Sequence, residues 1–217
     1  MDRVLEPEIM ADPEQALVYS NADFDEENQG FVDRFREFYP ELTQGCLLDL
    51  GCGPGDIAIR LARALPDIRI TGVDASGPMI DLARKAVDAE GLSQRIQFRC
   101  ERFQSLIVDR ADAVISNSLL HHVPNPLQFW YSVKTLGKPG ACALVMDLLR
   151  PASVEEAQEI VDRYASEEPA ILRRDFFNSL LAAFTEDEVA SQLAELNLSR
   201  LLIDVPDDRH WIVGGRI

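Results

Sequence analysis

The 217-residue chain is 47% hydrophobic and 27% charged, which is enough apolar material for one large α/β core but hardly for two, so residues 1–217 are expected to form a single domain. Its formal net charge of −16, with no long run of Lys or Arg, would repel a phosphate backbone and argues against nucleic acid as a partner. No apolar run approaches the roughly 18 residues of a membrane span, and the acidic first thirty residues hold no hydrophobic stretch of the signal-peptide kind; the expected compartment is the cytoplasm.

Residues 1–26 carry Pro7, Pro13 and scattered apolar positions, and read as an irregular arm with one short helix near Glu14–Tyr19. Tyr19 and Phe24 form an aromatic pair around four mostly polar residues. From Glu27 to Tyr39, Phe31, Val32, Phe35 and Phe38 recur at helical spacing, and Pro40 ends the helix. Residues 1–39 therefore make an arm and a helix.

The stretch Leu47-Leu48-Asp49-Leu50 suits a buried parallel strand and breaks into Gly51, Gly53 and Gly55. Ile57–Leu65 then has helical spacing. A strand, a tight glycine turn and a helix in this order bring bare backbone to the carboxyl edge of a sheet, where a ligand can approach the main chain. The dinucleotide fingerprint G-x-G-x-x-G would need its third glycine at Asp56, where a carboxylate is poorly suited to a pyrophosphate. The pattern D-x-G-x-G-x-G, formed by Asp49, Gly51, Gly53 and Gly55, resembles instead the first motif of the class I S-adenosylmethionine-dependent methyltransferases. The resemblance implies glycines passing under the amino-acid end of the cofactor, with the acid that ends the strand helping to hold its ammonium group.

Ile68–Asp74 reads as the second strand, and Asp74 ends it nineteen residues beyond Gly55. A carboxylate there can accept hydrogen bonds from both ribose hydroxyls of an adenosine cofactor, next to Ala75. Ser76 is a plausible N-cap with Pro78 in the first turn of a helix that runs to Gly91. The resemblance places an apolar side chain near Met79 against the adenine, although Met79 equally suits the core. Ile96–Cys100 is the third strand. After it, Glu101-Arg102-Phe103 departs from the Gly-Asp-Ala of many relatives, since Arg102 cannot accept a bond from the adenine amino group. Either Glu101 takes that role, or backbone atoms read the adenine with the Arg102 plane or the Phe103 ring alongside.

Asp109–Ser118 is the fourth strand, apolar and then abruptly polar at its carboxyl end, which marks the crevice side. Asn117 and Ser118, followed by Leu119-Leu120-His121-His122-Val123, resemble the family segment beneath the sulfonium and the methionine carboxylate. Adjacent histidines on a helical turn face different ways, so one at most, here assigned as His121, can point at an acceptor and remove a proton; a structural role is the alternative. A helix runs from Pro126 to Leu136, Lys138-Pro139-Gly140 is a turn, and Ala141–Asp147 is the fifth strand. Asp147, at its end, can hold an acceptor or cap a loop.

Residues 148–184 are too long for an ordinary connection and too periodic for a loose loop. They read as a helical insert with apolar stripes over Ala152–Tyr164 and Glu168–Ala183. The resemblance makes this insert a lid over the acceptor and gives the same duty to the arm, with Tyr19 and Phe24 over the reacting sulfonium; two aromatics anchoring the arm to the core is the plainer reading. Arg173, Arg174 and Asn178 are then candidates for an anionic acceptor, against ordinary ion pairs on a solvated face. Thr185 and Glu188 form a capping box, and two strands, Arg200–Val205 and Arg209–Arg216, close the chain.

The expected architecture is thus a doubly wound, mostly parallel seven-stranded sheet with a C-terminal antiparallel hairpin and a helical lid insert. The expected activity is transfer of a methyl group from S-adenosylmethionine to a nitrogen, oxygen or sulfur nucleophile of a small molecule, with no membrane partner. Tyr19, Asn117 and His121 are the catalytic candidates. The alternative is a scaffold or sensor that binds the cofactor without turnover. Cys46, Cys52, Cys100 and Cys142 fall singly, so neither a metal nor a disulfide is expected.

Overall fold

The computed structural model describes residues 1–6 and 10–217; Pro7, expected in the irregular arm, lies outside the described residues. Two helices, α1 (Pro13–Ser20) and α2 (Asp25–Phe38), precede the sheet. Then β1 (Gln44–Leu50), β2 (Asp67–Asp74), β3 (Ile96–Cys100), β4 (Ala111–Asn117) and β5 (Gly137–Leu148) alternate with α3 (Asp56–Ala64), α4 (Gly77–Ala89) and α5 (Pro126–Leu136). The insert supplies α6 (Val154–Tyr164) and α7 (Ala170–Ala182), and α8 (Glu186–Glu195) leads into the hairpin β6 (Leu201–Asp204) and β7 (His210–Arg216).

The strand order is β3-β2-β1-β4-β5-β7-β6, parallel throughout except where β7 runs antiparallel to both β5 and β6. The order reverses between β1 and β4, which puts the ligand crevice of such a sheet beyond the carboxyl ends of those strands. Because side chains alternate along a strand, neighbours feed opposite cores. Leu47, Ala113 and Leu144 join Phe31, Phe35 and Leu61 on the face covered by α2, α3 and α4, whereas Leu48, Val114 and Val145 join Phe129, Trp130 and Val189 on the face covered by α5 and α8. Burial on both faces explains why the strands read as nearly unbroken apolar runs. Trp130 satisfies its buried indole N–H on Gln192 Oε1 at 2.8 Å.

Local rules account for most element boundaries. Ser76 caps α4 by accepting from the Met79 N–H, and Thr185 and Glu188 form the reciprocal capping box of α8. The structure departs from expectation at Lys138-Pro139-Gly140, which falls inside β5: pairing of Ala111 with Gly137 begins the strand early, and an irregularity between Ala111 and Ala113 absorbs the residues read as a turn.

The insert leaves and re-enters the fold at one point, where Leu149 bridges Phe184. Its helices pack on each other around Ile160, Val161 and Leu180. The arm stitches this insert to the sheet edge. Arg3 donates through Nη2 to the His121 carbonyl at 2.7 Å and through Nε to the Ala182 carbonyl at 2.5 Å, with its guanidinium 3.9 Å from the centre of the Phe184 ring. The Val4 N–H donates to the Leu181 carbonyl. Among the described residues no helix is long and apolar enough to cross a membrane.

Candidate active-site crevice

The turn after β1 is made by three residues with positive φ, Gly51 (73°), Gly53 (51°) and Gly55 (87°), a conformation that costs an L residue roughly 1–2 kcal/mol. The N–H groups of Gly51 and Cys52 both donate to the Val73 carbonyl, at 2.8 and 3.1 Å, so the turn is tied to the end of β2. A Cβ on Gly51 would lie 2.9 Å from Leu119, and one on Gly55 2.9 Å from Phe98; a Cβ on Gly53 would meet nothing within 4 Å. Gly51 and Gly55 are therefore required by packing. Gly53 instead presents bare backbone to open space.

Two cavities of about 400 and 110 Å³ flank this turn and share Tyr19, Gly51, Gly53 and Asn117 in their walls. The larger also has Phe24, Asp49, Asp56 and Arg60 at its wall. The smaller runs past Asp74, Ala75, Met79, Glu101, Arg102, Phe103 and Ser118 to His122, with Met10 of the arm across it. They are the two halves of one crevice, divided where Tyr19 meets the glycine turn.

Asp49 lies at the base of the crevice, 2% exposed, and its Oδ2 has no hydrogen-bond partner. Burial, reinforced by the charge of Asp74, pushes its carboxyl up to about 7. Asn117 Oδ1 is likewise buried and unpartnered. Two orphaned acceptors beside a bare glycine backbone call for a ligand that brings N–H donors and positive charge. Asp74 accepts from the N–H groups of Gly53 (2.9 Å) and Ser76 (2.8 Å); its burial outweighs these bonds and raises its carboxyl as well. The Tyr19 phenol is pushed up to about 12, by burial first and then by the charges of Asp74 and Asp147, so it stays a neutral donor at physiological pH. Its ring packs on Phe24 with centroids 5.0 Å apart.

The structure brings most sequence-expected residues to this crevice: Tyr19, Phe24, Asp49, Gly51, Gly53, Asp74, Ala75, Met79, Arg102, Phe103 and Asn117 all line it. Gly55 does not; it is the left-handed N-cap of α3. Of the two histidines, His122 lines the crevice, while His121, the one expected to face an acceptor, is 3% exposed and turned inward.

The reason lies in Asp147. Rather than holding an acceptor, its Oδ2 accepts from the Leu120 N–H at 2.5 Å and the His121 N–H at 3.3 Å, and its Oδ1 lies 2.5 Å from His121 Nδ1. It shapes the 3₁₀ turn Leu120–His122, which is the loop-capping reading of this residue. Burial alone would lower the His121 imidazole, but the charge and hydrogen bond of Asp147, followed by the charge of Glu6, outweigh it and raise the imidazole. Burial would likewise raise Asp147, and the same histidine holds it below the usual range.

The expected anion contacts are also not brought to the crevice. Arg173 pairs with Asp162 at 2.9 Å, Arg174 with Asp175 at 2.9 Å, and these arginines and Asn178 line neither cavity. The solvated ion-pair reading describes them. Sequence reasoning missed Arg3 and Glu6: Glu6 Oε1 sits 3.2 Å from His122 Nδ1, and nothing in a short acidic arm signals a distant histidine pair. It also missed Arg60, on the wall of the larger cavity, which bridges Asp25 and Asp56 at 2.5 and 2.6 Å.

Comparison with known proteins agrees with this architecture. Residues 47–140 match the family model for a methyltransferase domain. The chain is 46% identical over 68 residues to a release factor glutamine methyltransferase of Chlorobaculum tepidum, covering 31% of this chain and 22% of that protein. It is 30% identical over 105 residues to the mitochondrial ubiquinone biosynthesis O-methyltransferase of Arabidopsis thaliana, covering 48% and 32%. The chain thus spans a third or less of the length of these curated relatives. Among solved structures, the plantazolicin methyltransferase BpumL in complex with a triazolic desmethylPZN analog and SAH superposes with a TM-score of 0.71 at 17% identity, over 94% of this chain and 92% of that one.

Proposed function

We propose that this chain, a member of the class I S-adenosylmethionine-dependent methyltransferases by its residues 47–140 and its fold, transfers a methyl group to a nucleophilic nitrogen, oxygen or sulfur of a small molecule. The observation that carries this reading is the pair of orphaned oxygens, Asp49 Oδ2 and Asn117 Oδ1, beside the open backbone of Gly53. That set suits the cationic amino-acid end of S-adenosylmethionine and is unsuited to a pyrophosphate. The neighbouring Asp74, ending β2, suits the ribose hydroxyls, and Met79, Arg102 and Phe103 suit the flat face of an adenine. When bound, the cofactor supplies a methyl group on a sulfonium, already joined to a good leaving group.

The chain's own residues then have a limited task. Asp49 and Asn117 fix the charged end through hydrogen bonds, and the turn held by Val73 keeps the backbone in place without reorganisation. Tyr19, a neutral phenol between the two halves of the crevice, orients the acceptor by donating a hydrogen bond. Together with Phe24 it excludes water from the reacting atoms. His122, rather than the buried His121, lines the crevice on the acceptor's side.

A small acceptor is supported by the −16 charge and by Met10, Tyr19 and Phe24 of the arm, which close in the crevice walls. The acids at its larger half, Asp49 and Asp56 with Arg60 already neutralised by Asp25 and Asp56, favour a neutral or cationic acceptor over an anion. Calorimetric titration with S-adenosylmethionine and with NAD tests the reading. Binding of the sulfonium compound, weakened about tenfold or more in Asp74→Ala, together with transfer of labelled methyl to a low-mass fraction of cell extract, is the expected result. Binding of NAD alone would overturn it, and tight cofactor binding without transfer to any fraction would favour a non-catalytic scaffold or sensor.

A further inference from the structure

Behind the crevice wall three ligand-bearing side chains converge from two distant parts of the chain. His121 Nε2 lies 3.5 Å and His122 Nδ1 3.2 Å from the same oxygen, Glu6 Oε1, and the donor atoms of all three residues fall within 4.8 Å of one another. In a tetrahedral site with metal–donor bonds near 2.0–2.1 Å, neighbouring donors stand roughly 3.3–3.5 Å apart. The spacing at Glu6 is already that of two tetrahedral edges.

The arrangement around the trio has the features of a supported ligand set. His121 is 3% exposed, and its Nδ1 is engaged by Asp147 at 2.5 Å, so the nitrogen left to bind a cation is Nε2, the atom that faces Glu6. Asp147 is itself held by three backbone N–H groups, of Leu120, His121 and Leu148. Ser179 Oγ donates to Glu6 Oε1 at 2.9 Å and orients that carboxylate from the insert. Arg3, three residues upstream, pins the arm to the His121 and Val123 carbonyls. A carboxylate behind one histidine and a hydroxyl behind the glutamate are the outer contacts that fix ligand orientation in metal sites.

We propose that Glu6, His121 and His122 form a binding site for a divalent first-row transition cation of the zinc type, with one coordination position open toward the crevice that His122 lines. Two imidazoles and one carboxylate suit such an ion better than calcium or magnesium, which take all-oxygen shells. The ion ties the arm to the 3₁₀ turn. It also stands where it can act as a Lewis acid on an oxygen or sulfur acceptor; that consequence rests on the methyl-transfer reading, whereas the binding site does not.

The test uses the full chain, freed of metal by dialysis against a chelator, titrated with Zn²⁺ in competition with a chromophoric chelator and separately with Co²⁺ followed by its visible absorption. The expected result is one equivalent per chain and an intense, low-symmetry Co²⁺ spectrum. His122→Ala should weaken Zn²⁺ binding at least about 100-fold and Glu6→Gln at least about tenfold, while His210→Ala, at the remaining histidine, leaves it unchanged. Glu6 lies on the arm, so its variant retains the fold, as circular dichroism will verify. Absence of stoichiometric binding, binding indifferent to both ligand variants, or loss through His210→Ala would overturn the site. Since the metal alone is the probe, these outcomes are independent of whether S-adenosylmethionine binds.

Discussion

The two sides of the crevice are built on opposite principles. On the glycine-turn side the polar groups are left wanting: Asp49 Oδ2 and Asn117 Oδ1 are buried without partners, and Gly53 opens onto space. On the roof, the arm with the insert packed against it, Arg3 is met by the carbonyls of His121, Val123 and Ala182, Arg173 by Asp162 and Arg174 by Asp175. An orphaned polar group costs stability until a ligand meets it, whereas a satisfied one holds a wall in place. The floor is organised for a ligand and the roof for closure.

The contrast is broken most severely at Asp49. Because folding raises its carboxyl from an ordinary 3.8 to about 7, the folded state binds the extra proton between those values. Asp49 therefore contributes stability to the ligand-free protein that is lost as pH rises from about 4 to about 7. Asp49→Asn should remove this slope and stabilise the ligand-free protein at pH 8 by on the order of 3 kcal/mol, measured by chemical denaturation, while weakening cofactor binding. A variant that lost both stability and affinity would show the aspartate to be an ordinary core residue.

Gly53→Ala comes next. Its Cβ meets no protein atom, so the melting temperature should reflect only the positive φ, about 1 kcal/mol, while the dissociation constant for S-adenosylmethionine rises about 10–100-fold by calorimetry; unchanged affinity would place the cofactor elsewhere. On the roof, Arg3→Ala removes charged donors from three carbonyls and should cost about 1–2 kcal/mol, with faster amide exchange at Val4, whose N–H donates to the Leu181 carbonyl, and little change in cofactor affinity. Smallest of all, Arg173→Ala and Arg174→Ala should leave the Michaelis constant for the acceptor within about twofold, as expected of exposed ion pairs. A larger rise, confined to an anionic acceptor, would return these arginines to the substrate.

The same division governs what the sequence discloses. The floor is local: strand, glycine turn, Asp74 and the polar end of β4 lie in short segments whose spacing dictates their geometry, so each is legible from its immediate neighbours in the chain. The roof depends on pairs far apart in the chain. Asp147 reads as an acid that either holds an acceptor or caps a loop until the fold brings His121 to it, and that contact turns His121 away from the crevice. Arg173 and Arg174 attract attention as cations in an acidic chain, yet their partners are the nearest carboxylates on the insert itself. At Lys138-Pro139-Gly140 the pairing of Gly137 with Ala111 starts β5 ahead of the turn-forming residues, which stay unpaired with β4 in the irregularity before Cys142, with Gly140 at a φ of 82°.

The bridge between Leu149 and Phe184 pinches the 34 intervening residues into a cassette with adjoining ends. A segment anchored at one narrow neck, with helices packed on each other, is exchangeable in the way an antibody loop is. Ser179 and Asp175 of the cassette hold Glu6 and Gln15 of the arm, so grafting a different cassette at that neck would reseat the arm while the strands beneath keep their register.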